Sequence, residues 1–446
     1  MKNNYLKLIF LLFSTAVFSQ AGHIMQGVGA VNMSMGGAAT AQPLDISGAL
    51  QWNPAAISVF NGSILKADAG LFFSAPELSS TAGTYSGVTK DDRGTSIMPA
   101  LAFVWGHEGS KHTFGISAFG ISGFGVTFPE NMTNPISMPQ SYGGFGHIQS
   151  DYMLMQIGLT WAYELSDKFS IGIQPNIDYS ALKLNPNPLA APDFPAEMGG
   201  TGKGYPKSDK ASAIGFGAQI GLFFDSGTGF KAGASYKTAQ SFSKFDFNNT
   251  YLDGSDAGNV KFQMDYPAIM SFGLGYSNDA IDLALDYRFV NYENTEGFKA
   301  KGWQIASNGY PTGAVNGFGW QNISILSAGI QYKGIEKLPL RIGYTYSSNP
   351  INKELAFFSI PATAVIKNAF QFGFSYLAND NLSLDVVYHH GASGGATSGP
   401  MLSPMYITAN NPYGAVDGTS VSYKMTTDMI MVGLSYTFNK KEKSTN

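Results

Sequence analysis

Residues 370–376 read Phe-Gln-Phe-Gly-Phe-Ser-Tyr and residues 382–388 read Leu-Ser-Leu-Asp-Val-Val-Tyr, with a short polar turn between them. Each stretch places large apolar side chains at every second position. Successive side chains of an extended strand point to opposite faces, so this pattern gathers the apolar ones on one face. Helical spacing would scatter them around an axis. The pair therefore predicts two antiparallel strands joined by a hairpin turn.

The same alternation recurs along the chain from about residue 63 onward. Many of the runs are about 10 to 15 residues long, whereas strands of soluble proteins usually have five or six residues. Such a length suits a tilted crossing of the hydrocarbon layer of a membrane. We count about fourteen runs, which begin near Ile64, Ser96, His112, Met153, Phe169, Ala211, Phe230, Met264, Ile281, Gln321, Leu338, Ala369, Leu382 and Thr427.

Short and long connections alternate between these runs. Short polar turns such as 166–168 and 379–381 follow the even-numbered runs, and long loops such as 185–210 and 392–425 follow the odd-numbered ones. An up-and-down barrel with both termini on the short-turn side gives this pattern, and outer-membrane barrels place their short turns in the periplasm. We therefore predict an all-β protein, an antiparallel transmembrane β-barrel of about 14 strands in the bacterial outer membrane. A secreted β-sandwich is the alternative, but its strands would be shorter and its loops would not sort in this way.

The two ends of the chain depart from the alternation. Residues 1–19 carry Lys2 and Lys7 ahead of an apolar run, which is the layout of a secretory signal peptide. Residues 20–62 are rich in Gly and Ala and contain too little apolar surface to fold alone. We expect them to form a hatch inside a barrel of residues 63–438, followed by a polar periplasmic tail of residues 439–446.

The composition excludes several classes of function. The charged fraction is 13% and the net charge is -4, so there is no basic footprint for nucleic acid. The chain has no cysteine, which excludes disulfides and thiolate metal sites. Its six histidines do not form a metalloprotease motif, and no acidic metal cluster is evident. We predict no catalytic residue, metal or cofactor, and hence no enzyme.

Three segments resemble the outer-membrane long-chain fatty acid transporters of the FadL type. The first is Asn53-Pro54-Ala55 in the Gly-rich N-terminal part. The second, residues 338–346, reads Leu-Pro-Leu-Arg-Ile-Gly-Tyr-Thr-Tyr and is followed by Asn-Pro-Ile at 349–351. The third, residues 379–385, reads Asn-Asp-Asn-Leu-Ser-Leu-Asp. The resemblance extends over essentially the whole chain after the signal peptide.

This resemblance implies a fourteen-stranded barrel, a hatch that fills its interior, and a third strand with a kink that opens sideways toward the bilayer. Fatty acids or aromatic hydrocarbons would be captured by the extracellular loops, enter a hydrophobic pocket and leave laterally. Asn53, Pro54 and Ala55 would belong to the hatch, where proline and a hydrogen-bonding asparagine fix the path of the chain. The expected partners are a hydrophobic small molecule and outer-membrane lipid, and a monomer is expected.

The third run carries a change of phase. Phe114 and Ile116 share one side of the strand, whereas Phe119 and Ile121 share the other, and glycines crowd the same region. A change of phase with glycines is typical of a β-bulge. The bulge either shapes the barrel without a passage or forms the lateral opening, for which the candidate residues are Ala118, Phe119, Gly120 and Gly123.

The candidate ligand-binding residues fall into two groups. Arg288 and Arg341 face inward by the parity of their strands, where one of them could receive a carboxylate. The alternative is that both belong to an Arg and Asp network that stiffens the wall or holds the hatch. Loop residues with large apolar side chains could form a landing surface for cargo: Phe124, Phe128, Met132 and Phe145.

These observations favour passive uptake of a hydrophobic solute through a plugged barrel. A water-filled porin for small polar solutes and a surface adhesin that displays its long loops are the two alternatives.

Overall fold

The computed structural model describes residues 22–107 and 109–438. The proposed signal peptide and C-terminal tail lie outside these residues. Fourteen long strands form the barrel: β1 Ser63–Ala82, β2 Thr95–Gly106, β3 His112–Phe128, β4 Ile148–Ser166, β5 Phe169–Asn185, β6 Ala211–Asp225, β7 Phe230–Lys237, β8 Ala268–Ser277, β9 Ile281–Asn291, β10 Ile323–Tyr332, β11 Leu340–Ser347, β12 Asn368–Leu377, β13 Leu382–Ala392 and β14 Thr419–Phe438.

The strands close into one antiparallel sheet in which each pairs with its neighbours in the chain. β1 completes the ring because it pairs with β2 on one side and with β14 on the other, from Ser63 opposite Phe438 to Ala82 opposite Thr419. Closure leaves no free sheet edge for lipid to meet. The predicted barrel of fourteen strands is confirmed.

Side-chain exposure follows the predicted alternation. On β9, Leu283, Leu285 and Tyr287 are exposed on the outer surface, whereas Ala284 and Asp286 between them are buried. The outer surface carries similar apolar residues on the other strands. Such a surface is stable against hydrocarbon and unfavourable in water.

Most predicted strand starts agree with the structure within two residues, but three differ. β4 begins at Ile148 and not near Met153, and β14 begins at Thr419 and not near Thr427. β8 begins later than expected, at Ala268 and not near Met264. The long strands extend beyond the apolar band into polar sequence, where backbone pairing continues without an apolar alternation to reveal it.

The long loops carry short elements of their own. The 3₁₀ turns are Gln140–Tyr142, Ala196–Met198, Lys353–Ser359 and Pro404–Tyr406. The short strands are Tyr85–Lys90, Lys207–Ser208, Ser241–Phe242, Phe245–Thr250, Asp256–Phe262, Trp303–Ile305, Pro311–Val315 and Thr397–Gly399. Within the described part of the chain, no helix has the length and apolar character needed to cross a membrane.

The N-terminal segment lies inside the barrel. It contains α1 Ala30–Ser34, α2 Ile46–Trp52 and a 3₁₀ helix, Pro54–Val59. α1 contacts β11 to β14, α2 contacts β1 to β3, and the 3₁₀ helix contacts β3 to β6. The strands of the barrel therefore lie around the segment, and almost all of its residues are buried. We call residues 22–62 the hatch.

Two wall glycines allow the hatch backbone to approach the strands closely. A Cβ atom at Gly343 on β11 would lie 2.1 Å from the backbone nitrogen of Gly36. At Gly172 on β5 it would lie 2.4 Å from the backbone nitrogen of Ala55. No side chain fits at these points without moving a backbone, so the glycines set where the hatch sits.

Candidate functional site

Asn53 ties the hatch to the wall at the predicted Asn-Pro-Ala segment. Its side-chain nitrogen donates hydrogen bonds to the carbonyl oxygens of Thr40, at 2.8 Å, and of Leu222 on β6, at 2.9 Å. Its side-chain oxygen accepts from the backbone nitrogen of Ala55 at 3.1 Å and caps the 3₁₀ helix that begins at Pro54. One buried amide therefore joins two parts of the hatch to a strand.

A buried lysine makes the densest ionic contact between hatch and wall. Lys66 Nζ on β1 lies 2.5 Å from Asp385 on β13, 3.2 Å from Asp45 of the hatch and 3.8 Å from Asp68. Asp68 in turn accepts a hydrogen bond from the backbone nitrogen of Ala30 at 2.8 Å. The start of α1 and the N-cap residue of α2 are thus held by one charged cluster.

Arg288 on β9 is directed at the hatch. Its guanidinium lies 3.7 Å from the ring centre of Trp52 and donates to the carbonyl oxygen of Gly37 at 2.7 Å. It also pairs with Asp286 at 2.5 Å, and Asp286 accepts from the backbone nitrogen of Thr40 at 3.0 Å. These contacts engage the terminal nitrogens of Arg288, whereas its buried Nε has no hydrogen-bond partner among the described residues. The contacts with the hatch favour a structural role for Arg288.

Arg341 on β11 belongs to a similar network within the wall. Its Nε donates to Gln331 on β10 at 2.7 Å, and its Nη2 donates to Ser375 on β12 at 2.6 Å. Ser375 donates to Asp385, the partner of Lys66. Neither Arg341 nor Arg288 lines any of the cavities described below.

The wall is incomplete between β2 and β3. Their pairing ends where Ala100 lies opposite Phe119, although β2 continues to Thr95 as a partner of β1. The pairing of β3 with β4 shifts register between Gly120 and Ser122, so that Ile121 bulges. The predicted bulge is therefore present. Along β3, side chains alternate between the two faces of the wall beyond Phe119. The alternation changes phase at the bulge, two residues later than the apolar pattern of the sequence predicts.

A cavity of about 440 Å³ occupies this gap. We call it the side opening. Gly120 and Gly123 of the predicted set line it, together with Phe124, whereas Ala118 and Phe119 do not. Its wall also includes Ile97 from β2 and Tyr152 from β4. Its lining is mainly apolar and includes both the exposed Ile97 and the buried Tyr152.

The first described residues of the hatch reach the bulge from inside. The carbonyl oxygen of His23 accepts hydrogen bonds from Ser122 Oγ at 2.9 Å and from the backbone nitrogen of Gly123 at 3.2 Å. The backbone nitrogen of Met25 donates to the carbonyl oxygen of Ile121 at 3.0 Å. This short segment pairs with β3 where β2 no longer does.

Six aromatic rings surround the His23 side chain, with ring centres 5.0 to 6.5 Å away: Phe124, Tyr152, Tyr266, Tyr292, Phe298 and Trp320. His23 Nδ1 is 2.7 Å from Tyr292 Oη, and Nε2 has no hydrogen-bond partner among the described residues. Burial lowers the pKa of His23 to about 3. The imidazole is therefore neutral, and it packs beside Phe124 and Tyr152, which line the side opening.

Acidification should lower the stability of the protein because it favours protonation of His23 in the unfolded chain. The folded chain keeps His23 neutral while the unfolded chain protonates it near pH 6.5, so stability falls as the pH drops from 6.5 toward 3. At pH 5 this difference amounts to about 2 kcal/mol. We expect thermal unfolding between pH 8 and pH 5 to show a smaller loss of stability in His23→Phe than in the parent. His107→Phe, at an exposed turn, is the control, and equal pH dependence in His23→Phe and the parent would contradict the assignment.

A second apolar space of about 510 Å³ lies among the long loops. We call it the outer groove. Met132 and Phe145 of the predicted landing surface line the outer groove. Phe128 is buried in the core and lines neither the outer groove nor the side opening. A small cavity of about 30 Å³ shares Phe145 and Phe357 with the groove and is also lined by Pro361. Thr363, two residues further, lines the side opening.

Sequence reasoning missed several residues of the site. His23 lies in a segment without periodicity, and Tyr152 is one of many strand tyrosines. Phe357 comes from the long loop before β12. Only the clustering of aromatic residues in the loops could have indicated such a lining, and it would not have selected these positions.

The family model described as outer membrane protein transport protein (OMPP1/FadL/TodX) matches residues 12–438. Comparison with curated proteins gave no significant sequence match. Among solved structures, the Pseudomonas putida toluene transporter TodX is similar at a TM-score of 0.67 and 16% identity, covering 93% of this chain and 100% of that one.

Two further structures share the fold. A Pseudomonas aeruginosa FadL homologue has a TM-score of 0.70 and 14% identity, with 94% of this chain and 100% of that chain covered. The Ralstonia pickettii toluene transporter TbuX has a TM-score of 0.62 and 18% identity, with 93% and 99% covered. At these identities the structural likeness shows the barrel fold and no more.

Proposed function

Because this chain belongs to the OMPP1/FadL/TodX family of outer membrane transport proteins, we propose that it carries hydrophobic molecules passively across the outer membrane and releases them through the side opening. The family is one of transport proteins and not of enzymes, and it places the chain in the outer membrane. The cargo class that we propose is long-chain fatty acids or aromatic hydrocarbons. The toluene transporters and the FadL homologue among the similar structures support that class.

One observation supports the proposal: the gap between β2 and β3 holds an apolar cavity whose lining includes the exposed Ile97 and the buried Tyr152. Cargo that leaves there enters hydrocarbon directly and never has to cross water. Transfer of apolar surface out of water is favourable at about 25 cal/mol per Å². A downhill path therefore needs no energy source.

The proposed route for cargo begins in the outer groove and passes three aromatic side chains. Phe145 has its ring centre 5.5 Å from that of Tyr205 and 5.7 Å from that of Phe357. Tyr205 is fixed by a hydrogen bond from its hydroxyl to the carbonyl oxygen of Gly313 at 2.6 Å. We propose that rotation of Phe145 or Phe357 joins the groove to the small cavity beside Pro361, and that cargo moves from there to the side opening.

Uptake by cells that produce the full chain tests this function, with radiolabelled toluene and oleate as the two probes. We expect uptake above that of cells without the protein, and Met132→Asp should reduce it at limiting probe concentration because a carboxylate in the outer groove disfavours apolar cargo. Met132 is half exposed, so the barrel should fold as before.

Met198→Asp supplies the matched control, since Met198 is an equally exposed loop methionine that does not line the groove. A porin would instead pass small polar solutes and a steady ion current. An adhesin would give no uptake of either probe, and both results would contradict the proposed function.

A further inference from the structure

We infer that Asp91, Asp92 and Arg93 form a clasp that closes the outer end of the side opening and limits the width of the cargo. This inference rests on the proposed function. The three residues lie in the connection between β1 and β2, just before β2 begins at Thr95.

The backbone of the clasp takes the place of β2 as the partner of β3. The backbone nitrogen of Asp92 donates to the carbonyl oxygen of Thr127 at 2.8 Å, and the backbone nitrogen of Thr127 donates to Asp91 Oδ1 at 2.5 Å. The backbone nitrogen of Asp91 donates to the carbonyl oxygen of Pro76 on β1 at 3.0 Å. β3 is thus joined to the β1 side of the gap again, beyond the opening.

Arg93 extends this link across β3 to β4. Its Nη1 donates to the carbonyl oxygen of Ser150 at 2.7 Å, and its Nη2 pairs with Asp151 Oδ1 at 2.9 Å. The side chain is 19% exposed, so the pair is partly desolvated and stronger than an open surface pair. The guanidinium fork satisfies two acceptors at once, which an ammonium group would not do in the same plane.

Gly125 on β3 provides the space for the guanidinium. A Cβ atom at this position would lie 1.6 Å from Arg93 Nη1 and 2.7 Å from the carbonyl oxygen of Ser150. The arginine therefore lies flat against the strand, and both residues line the side opening.

The side opening is therefore bounded at both ends along β3. The pair Ala100 and Phe119 ends the β2–β3 ladder at one end, and the clasp bounds the other. The first boundary is backbone pairing, but the second depends on one ion pair and a few hydrogen bonds. Asp151 and Asp91 together offset the charges of Arg93 and Lys210, so the clasp acts on cargo by size and not by attracting a carboxylate.

Uptake of a series of aromatic hydrocarbons of increasing ring number, namely toluene, naphthalene and pyrene, tests the clasp. Both Arg93→Ala and Asp151→Ala should raise pyrene uptake relative to toluene uptake by about fivefold, since each removes the ion pair. Lys210→Ala is the control, because Lys210 binds the other oxygen of Asp151 at 2.8 Å without touching Arg93 and should leave the ratio unchanged.

Folding of each variant is checked by the shift in gel migration on heating. A parent-like ratio in both folded variants would overturn the inference. A change in Arg93→Ala alone would also overturn it, because the effect would then come from removing the Arg93 side chain from the cavity lining and not from breaking the ion pair. An equal loss of uptake for all three hydrocarbons would also overturn it, because the clasp would then only support the wall. Absence of toluene uptake in the parent would instead contradict the proposed function.

Discussion

Gly120→Trp should reduce uptake of hydrophobic cargo to the level of cells without the protein, while the barrel remains folded. The atoms nearest to a Cβ atom at Gly120 would belong to Met155 and Pro99, at 3.7 Å, which is ordinary van der Waals contact. The indole can therefore enter the side opening without displacing backbone, where it fills much of a cavity of about 440 Å³. Uptake of labelled toluene and oleate by whole cells is the measurement.

A tryptophan elsewhere on the barrel provides the control for the first prediction. Ala234 on β7 lines a lipid-facing depression of about 590 Å³ between Leu222 and Phe272, well removed from β3 in the sheet order. Ala234→Trp adds the same side chain and should leave uptake unchanged. If Gly120→Trp takes up cargo as the parent does while its barrel resists heat normally, cargo does not leave through the side opening.

Lys66→Met should release the hatch and destabilise the protein by about 3 kcal/mol or more, since it leaves buried carboxylates without their cation. Lys66 is 1% exposed and lies within 4 Å of three aspartates, two on the wall and one on the hatch. Met has a similar length, so the loss of charge dominates over any loss of packing. We expect a lower unfolding midpoint and, in planar bilayers, an ion current that the parent does not show.

An exposed ion pair that also involves β1 is the comparison for Lys66. Lys424 on β14 lies 2.8 Å from Glu77 on β1, and its side chain is 57% exposed. Lys424→Met should cost less than about 1 kcal/mol, because water and salt already screen that pair. Equal effects of the two substitutions would show that Lys66 does not anchor the hatch.

The wall could be predicted from sequence because lipid imposes one rule on every strand. An apolar side chain must occur at each second position, and β9 follows that rule from Leu283 to Tyr287. The ends of the strands could be predicted less accurately than the strands themselves. Beyond the apolar band, residues such as Ser79 and Thr81 continue the pairing of β1 with β14, and only the hydrogen bonds reveal it.

The candidate site was harder to predict from the sequence than the wall, because it depends on contacts between distant parts of the chain. His23 meets Tyr292, and Arg93 meets Asp151, across separations that no local pattern records. The glycines of β3 did indicate a bulge, since glycine weakens a strand wherever it occurs. Arg288 and Arg341 could be placed inside the barrel by parity, but their partners decide between a ligand and a structural role.

The hatch has a consequence for the cell that contains this protein. Its backbone and side chains are joined to strands around the circumference of the wall, through Asn53, Lys66 and Arg288 among others. Within residues 22–107 and 109–438, the hatch lies across the interior of the barrel, so we expect salts and small hydrophilic drugs to gain no entry as the number of copies rises. For the transport proposed above, a bacterium would then increase its uptake of hydrophobic molecules by raising expression and would keep the permeability barrier of its envelope.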